Sequence, residues 1–400
     1  MVQPFGRTRL WRSRRLSTGS TEHGRTNLDK HPIADLDYDA IVVGARVAGS
    51  TFAALLGDAG HRVLLVDRAT FPSPTLSTHY FRGGRAVSVL KRLGVLDEVL
   101  DLGCPPLTAE YRFRNGATEP VVGPAQQPGD VTFCLSVRRA PLDHILVRRA
   151  TRSASVHVLE ATALKDVLRD GGRVVGARLT TPDGEIVARS RCVIGADGRQ
   201  SLVARLAQAP IQESERAHRG IYYCYVRGFA APAGSTPDGP EFHFSGDEVA
   251  YVFPSDGGVT CIALSLNLPT FSWLHERPAE RFRERIACYP GLAERFAASP
   301  QLGRLLGCGP FPNTVRVPAG PGWALVGDAG MHQDPWSGTG IDKAMVHATL
   351  LAEALGCWLS GEVCEREAGE SYHRARDADG LQSYRDTTSL SRDLRQLLVA

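Results

Sequence analysis

Gly44, Gly49 and Asp67 are the first residues in this chain whose types and spacing could do chemistry. A glycine at 44 permits a tight turn. One at 49 lets a following helix pack close to a strand. Asp67 stands 23 residues after Gly44, where an acid can accept hydrogen bonds from a ribose diol. The middle glycine of the G-x-G-x-x-G pattern is replaced by Arg46, which can offer a pyrophosphate charge in place of close backbone approach. Two later glycine–acid pairs repeat the grammar. Asp197-Gly198 follows a buried apolar run, and Gly327-Asp328 opens a glycine-punctuated loop through Pro335, Gly338 and Gly340. His79, Tyr223, His243 and His332 sit in segments that could reach a ligand there. His79 and His332 are the candidates for acid–base work. A lone histidine is more often structural, and that reading stands beside the catalytic one.

These residues need elements to hold them. Ala40–Val43 is too short for a helix and β-branched, which predicts a buried parallel strand. An Ala/Leu-rich helix follows the glycine turn and ends near Gly60. Val63–Val66 is a second buried strand. This βαβ unit aims the free N–H groups and positive dipole end of its helix at a phosphate. Further on, 84–102 reads as one helix, 109–122 as a hairpin around Arg114-Asn115-Gly116, and the segment from Ser136 to Asp143 as the start of another helix. Residues 155–194 form a meander turned at Asp170-Gly171-Gly172 and Pro182-Asp183-Gly184. Arg219–Phe229, Glu241–Phe244, Val249–Phe253 and Val259–Leu266 read as antiparallel strands with aromatic faces, and 277–307 as helical with a break at Pro290-Gly291. Trp323–Val326 is a strand, Ile341–Leu359 a helix, and a helical segment follows. The fold class is α/β with an inserted antiparallel α+β part.

Composition narrows the function. Net charge is +3. Residues 1–25 hold six arginines and one acid, a balance of +5, so the rest of the chain sums to −2. A near-neutral body argues against a nucleic-acid partner. Nine scattered cysteines, without a C-x-x-C, support neither a disulfide framework nor a zinc site, and a cytoplasmic setting is the simplest expectation. No apolar run reaches the length of a membrane span. Only four of the 46 basic residues are lysine: Lys30, Lys91, Lys165 and Lys343.

Three stretches together carry a resemblance. VVGARVAG with its later VD, then VIGADGRQSLVAR, then ALVGDAGMHQDPWSGTGIDKA, resemble in order and spacing the flavoprotein hydroxylases of the p-hydroxybenzoate hydroxylase type. Relatives of that superfamily include geranylgeranyl reductases and flavin-dependent halogenases. The resemblance covers about residues 38–380. It implies FAD as cofactor and NAD(P)H as electron donor, with an external flavin reductase as the alternative source. It implies a Rossmann-like FAD-binding domain in three pieces (38–104, 136–208 and 311–360). A substrate domain would take 105–135 and 209–310. A disordered Arg-rich extension would occupy 1–37, and a C-terminal helical segment 361–400. The residues placed against FAD are Gly44, Arg46, Val47, Ala48, Gly49, Asp67, Arg68, Arg139, Asp197, Gly198, Gly327, Asp328, Pro335, Gly338, Gly340 and Ile341.

The implied activity is monooxygenation of a small aromatic or polyketide-like molecule in secondary metabolism. A reductase of the geranylgeranyl type is the alternative, and a non-enzymatic flavin binder the third reading. A halogenase would carry W-x-W-x-I-P, which Phe271-Ser272-Trp273-Leu274 matches poorly. The chain is expected to be a monomer or homodimer. If Arg46 helps hold the pyrophosphate, Arg46→Gly should weaken FAD binding or leave it unchanged in a fluorescence titration; a clear gain would mark Arg46 as a tolerated defect.

Overall fold

A computed structural model describes residues 37–77, 79–81, 84–108, 111–114, 118–121, 131–231 and 239–398. The Arg-rich N-terminal extension and the turn residues Asn115 and Gly116 lie outside the described residues. Strand β1 (Asp37–Val43) is buried along almost its whole length, as a strand covered on both faces must be. It pairs in parallel with Gly184–Gly195 on one side and with β2 (Val63–Val66) on the other. Trp323–Leu325 and Val156–Leu159 extend this parallel sheet outward. Arg173–Thr181 and Ala163–Asp170 add antiparallel strands to the Gly184–Gly195 side.

Helix α1 (Val47–Asp58) is apolar nearly all round, and so is buried nearly all round. It lies against the helices Arg139–Thr151 and Gly340–Leu359. The glycines set how close it comes. Gly44 has φ +103°, and a Cβ there would lie 2.4 Å from the Ala196 carbonyl oxygen. A Cβ at Gly49 would lie 1.8 Å from the Gly44 carbonyl oxygen.

The second sheet runs in the order Gln301–Cys308, Arg219–Arg227, Val259–Asn267, Glu248–Pro254, Glu241–Ser245, Tyr111–Arg114, Thr118–Val121. It is antiparallel except where Glu241–Ser245 meets Tyr111–Arg114 in parallel. Side chains alternate between its faces. One face gathers Tyr223, Phe244, Tyr251 and Phe253 with Tyr80 and Trp336. The other packs Tyr222, Cys224, Ile262 and Leu264 against the helices Pro278–Ile286 and Ala293–Ala297.

Two expected elements differ. The helix expected over 84–102 is two helices, Gly84–Arg92 and Leu96–Leu100, parted by Gly94 at φ +69°. The helical reading of 277–307 fails at its end, because Gln301–Cys308 is a strand on the edge of the second sheet. Gly303, at φ +69°, sits where a right-handed helix could not hold it. Backbone pairing with Arg219–Arg227 decides the outcome.

The tightness at Gly49 is testable. Its neighbour is backbone and cannot rotate away, so Gly49→Ala should cost about 3 kcal/mol or more in urea unfolding. Gly356→Ala, where a Cβ would meet nothing within 4 Å, should instead gain about 0.5–1 kcal/mol.

Candidate functional site

A cleft of about 720 Å³ opens at the C-terminal ends of the parallel strands, where α/β sheets bind ligands. Its wall contains Gly44, Arg46, Val47 and Ala48 from the first turn and helix, then Asp67 and Arg68 after β2. Arg139, Asp197 and Gly198 follow, with Gly327, Asp328 and His332, then Pro335, Gly338, Gly340 and Ile341. Gly49 is not in the wall; it sits behind Gly44 and sets its position. His79 is also absent from the wall.

Two helix N-termini open on the cleft. Helix α1 begins at Arg46 without a side-chain cap and without an acid in its first turn. Gly340–Leu359 begins at Thr339, also without a side-chain cap. Uncapped first-turn N–H groups are donors awaiting an anion or a carbonyl oxygen. Asp67 accepts from the N–H groups of Ala45 and Ala69, each at 2.8 Å. Each carboxylate oxygen keeps a second lone pair for a diol. The donors and the acid fit a dinucleotide such as FAD.

Arg46 is engaged elsewhere. Its guanidinium donates to Asp143 at 2.7 Å and to the Ser73 hydroxyl at 3.2 Å, and it lies over the Phe71 ring. Arg139 donates to the same Asp143 at 2.9 Å and 3.1 Å. Asp143 is fully buried. One carboxylate therefore fixes two cleft arginines, a role the sequence reading missed. Its only signal was the four-residue spacing from Arg139, which places both on one helix face.

Asp197 serves the short helix after it, accepting from the Ser201 hydroxyl at 2.5 Å and from the Leu202 N–H at 2.7 Å. Burial holds its carboxyl above the usual range despite these bonds. Asp328 behaves oppositely. Burial opposes its charge, but His332, Arg199 and Arg139 outweigh it and hold the carboxyl low. The His332 Nδ1 stands 3.5 Å from Asp328, and 43% of the acid's side chain opens to the cleft between those walls. His332 thus faces an acid of the cleft wall.

The other histidines lie deeper. His79 is buried at φ +67°, stacked on Tyr225 and edge-on to Tyr223. Its Nε2 meets the Tyr225 hydroxyl, and its Nδ1 has no hydrogen-bond partner. Burial, then Arg139 and Arg138, push it down to about 3, so the ring stays neutral at ordinary pH. Tyr223 and Ser77, one layer above it, do line the cleft. His243 bonds Glu241, which Arg295 holds at 2.7 Å and 2.9 Å. That cluster lies outside the cleft.

At the aromatic end, Tyr80, Ile221 and Tyr223 line the cleft with Pro335 and Gly338. Tyr80 stacks on Phe253 with centroids 4.5 Å apart. The Tyr251 hydroxyl donates to the Trp336 carbonyl at 2.8 Å, and the Trp336 indole donates to the Thr387 carbonyl at 2.9 Å. The loop is thereby bolted to the second sheet and to the helix Glu365–Leu390. A second unforeseen group is Lys343, buried in the cleft wall and bonded to Gln333. Among the described residues no His/Cys/Asp/Glu group is placed to hold a metal ion, and no helix is long and apolar enough to cross a membrane.

Removing Asp143 leaves two buried or half-buried cations unpaired. Asp143→Ala should cost about 3 kcal/mol in chemical unfolding, and should weaken FAD retention roughly tenfold by letting Arg139 swing.

Comparison with known proteins agrees with this geometry. The family described as FAD binding domain matches residues 37–240, just over half of the chain. The chain is 29% identical over 333 residues to the 6-methylpretetramide 4-monooxygenase of Streptomyces rimosus, covering 81% of this chain and 76% of that protein. It is 30% identical over 332 residues to digeranylgeranylglycerophospholipid reductase 2 of Methanothermobacter thermautotrophicus, covering 80% and 77%. Among solved structures, the myxobacterial chondrochloren halogenase superposes with a TM-score of 0.77 at 24% identity, covering 87% of this chain and 81% of that one, and shares the fold. The chain belongs to the FAD-binding family within the p-hydroxybenzoate hydroxylase-like superfamily, and is an FAD-dependent oxidoreductase.

Proposed function

We propose that this protein is an FAD-dependent monooxygenase acting on a small aromatic or polyketide-like molecule, with NAD(P)H as donor. One oxygen atom of O2 enters the substrate, the other leaves as water, and the nicotinamide supplies two electrons. The observation that carries the reading is the aromatic end of the cleft. Tyr80, Tyr223 and Ile221 line the cleft together with Pro335 and Gly338, an aromatic lining suited to a planar substrate. The named activity of the Streptomyces relative supports the same class.

When bound, FAD supplies the two-electron and O2 chemistry. The chain supplies the rest. The N-terminus of α1, with Gly44, Val47 and Ala48, would receive the pyrophosphate. Asp67 would hold the adenosine ribose, and Asp328, paired with His332, the ribityl chain. The N-terminus at Gly340 and Ile341 would face the reactive ring, with Pro335 and Gly338 along it. The buried aromatic sheet keeps bulk water from the substrate.

A reductase acting on a C–C double bond is the second reading. The 30% identity to a digeranylgeranylglycerophospholipid reductase favours it. Stopped-flow reduction of the bound FAD by NADH and by NADPH, with and without candidate substrates, separates the two. The expected result is NAD(P)H oxidation and O2 uptake stimulated by an aromatic substrate. Turnover of an alkene substrate without O2 would favour the reductase. Flavin reduced only by an added flavin reductase would make the enzyme two-component. No stimulation across a broad aromatic and polyketide-like panel would overturn the monooxygenase.

A further inference from the structure

We infer that the Lys343 ammonium is the charge by which this protein favours the reduced, negatively charged flavin over the oxidised one. The inference rests on the FAD site and not on the choice between monooxygenase and reductase.

Lys343 is unusual in this chain, where 42 of 46 basic residues are arginine. It stands in the first turn of Gly340–Leu359, is only 7% exposed and belongs to the cleft wall. Its hydrogen bonds go to neutral acceptors: Gln333 Oε1, and the Gly380 carbonyl at 3.3 Å. Met331 Sδ is the third neighbour, at 4.0 Å. A buried cation solvated only by neutral dipoles is costly for a fold to keep. Burial accordingly lowers the ammonium to about 8, against the pull of Asp379, Asp328 and Asp342.

Those acids are mostly engaged with other groups. Asp379 binds His347 at 3.1 Å and Arg85 at 2.5 Å, and Asp328 faces His332. His347 and Arg376 are further basic groups close enough to act on this network. Stability of the apoprotein is a poor reason for the charge. An anion arriving in the cleft is a better one.

The lysine is also wired to the loop. Gln333 takes the Lys343 proton donor on its oxygen, and its amide nitrogen donates to the hydroxyls of Ser337 at 2.9 Å, Thr339 at 2.6 Å and Thr387 at 3.2 Å. Thr339 is the residue at which the Gly340–Leu359 helix begins. The ammonium and the helix N-terminus therefore raise the potential at the same end of the cleft. Two electrons and one proton convert the oxidised flavin ring into a reduced ring with one negative charge. Both positive elements favour that product.

Redox titration of the FAD-loaded full chain tests this, with dithionite as reductant and an indicator dye, in the absence of substrate. Lys343→Met and Lys343→Gln should each lose about tenfold of the preference for reduced FAD, a midpoint potential lower by about 30 mV for a two-electron couple. Lys343→Arg should restore most of it. A role confined to joining two helices would lower stability and leave the potential in place. If Lys343→Met retains no FAD, the Gln and Arg variants carry the comparison between neutral and charged side chains. A neutral variant loaded with FAD at the wild-type potential overturns the inference, whatever the substrate proves to be.

Discussion

The contact between the Gly44 carbonyl and the Cα of Gly49 is the constraint on which the rest of this molecule depends. No side chain fits between them. The first helix therefore sits against the turn that precedes it, and the same turn sits against the Ala196 backbone from the strand Gly184–Gly195. Two strands and a helix are locked at one point. The lock leaves the helix's first N–H groups facing outward over the strand ends. The cleft follows from that geometry before any side chain is considered, and side chains then refine it.

Charge is arranged around the lock with little waste. Asp143 gathers Arg46 and Arg139, so two mobile guanidinium groups become fixed walls. Asp67 ties its own loop to the first glycine turn through the Ala69 and Ala45 amides. His332 stands by Asp328. Each acid in the cleft thus has a defined protein partner, and Asp328 presents much of its side chain to the ligand side. Lys343 differs from them, because its hydrogen-bond partners are neutral.

The first βαβ unit was legible from the chain because its signals are local. A buried strand, a glycine turn, an apolar helix and an acid lie within residues 39–67 in reading order. The Gly327–Gly340 loop was equally visible. What escaped was set by pairing across long stretches. Gln301–Cys308 has residues that tolerate a helix, and only the open edge of Arg219–Arg227 makes it a strand. The pairing of Arg46 with Asp143 was hidden because the two are 97 residues apart. His79 looked accessible beside the cofactor strand, yet the tyrosines of a much later strand bury it. Lys343 carried a faint compositional signal, and its neutral surroundings became visible only once Gly380 and Gln333 were seen beside it.

The helix Glu365–Leu390 bears on how the protein is made. Its Thr387 holds both Trp336 and Gln333, and its Tyr372 hydroxyl donates to the Leu325 carbonyl at 2.9 Å. These residues leave the ribosome after every residue of the cleft wall. A nascent chain can form its βαβ unit and even its second sheet early, with Tyr251 holding one side of the Gly327–Gly340 loop, but the side held by Thr387 is unfastened until this helix docks. A chain stalled short of that helix is left with the loop fastened on one side alone.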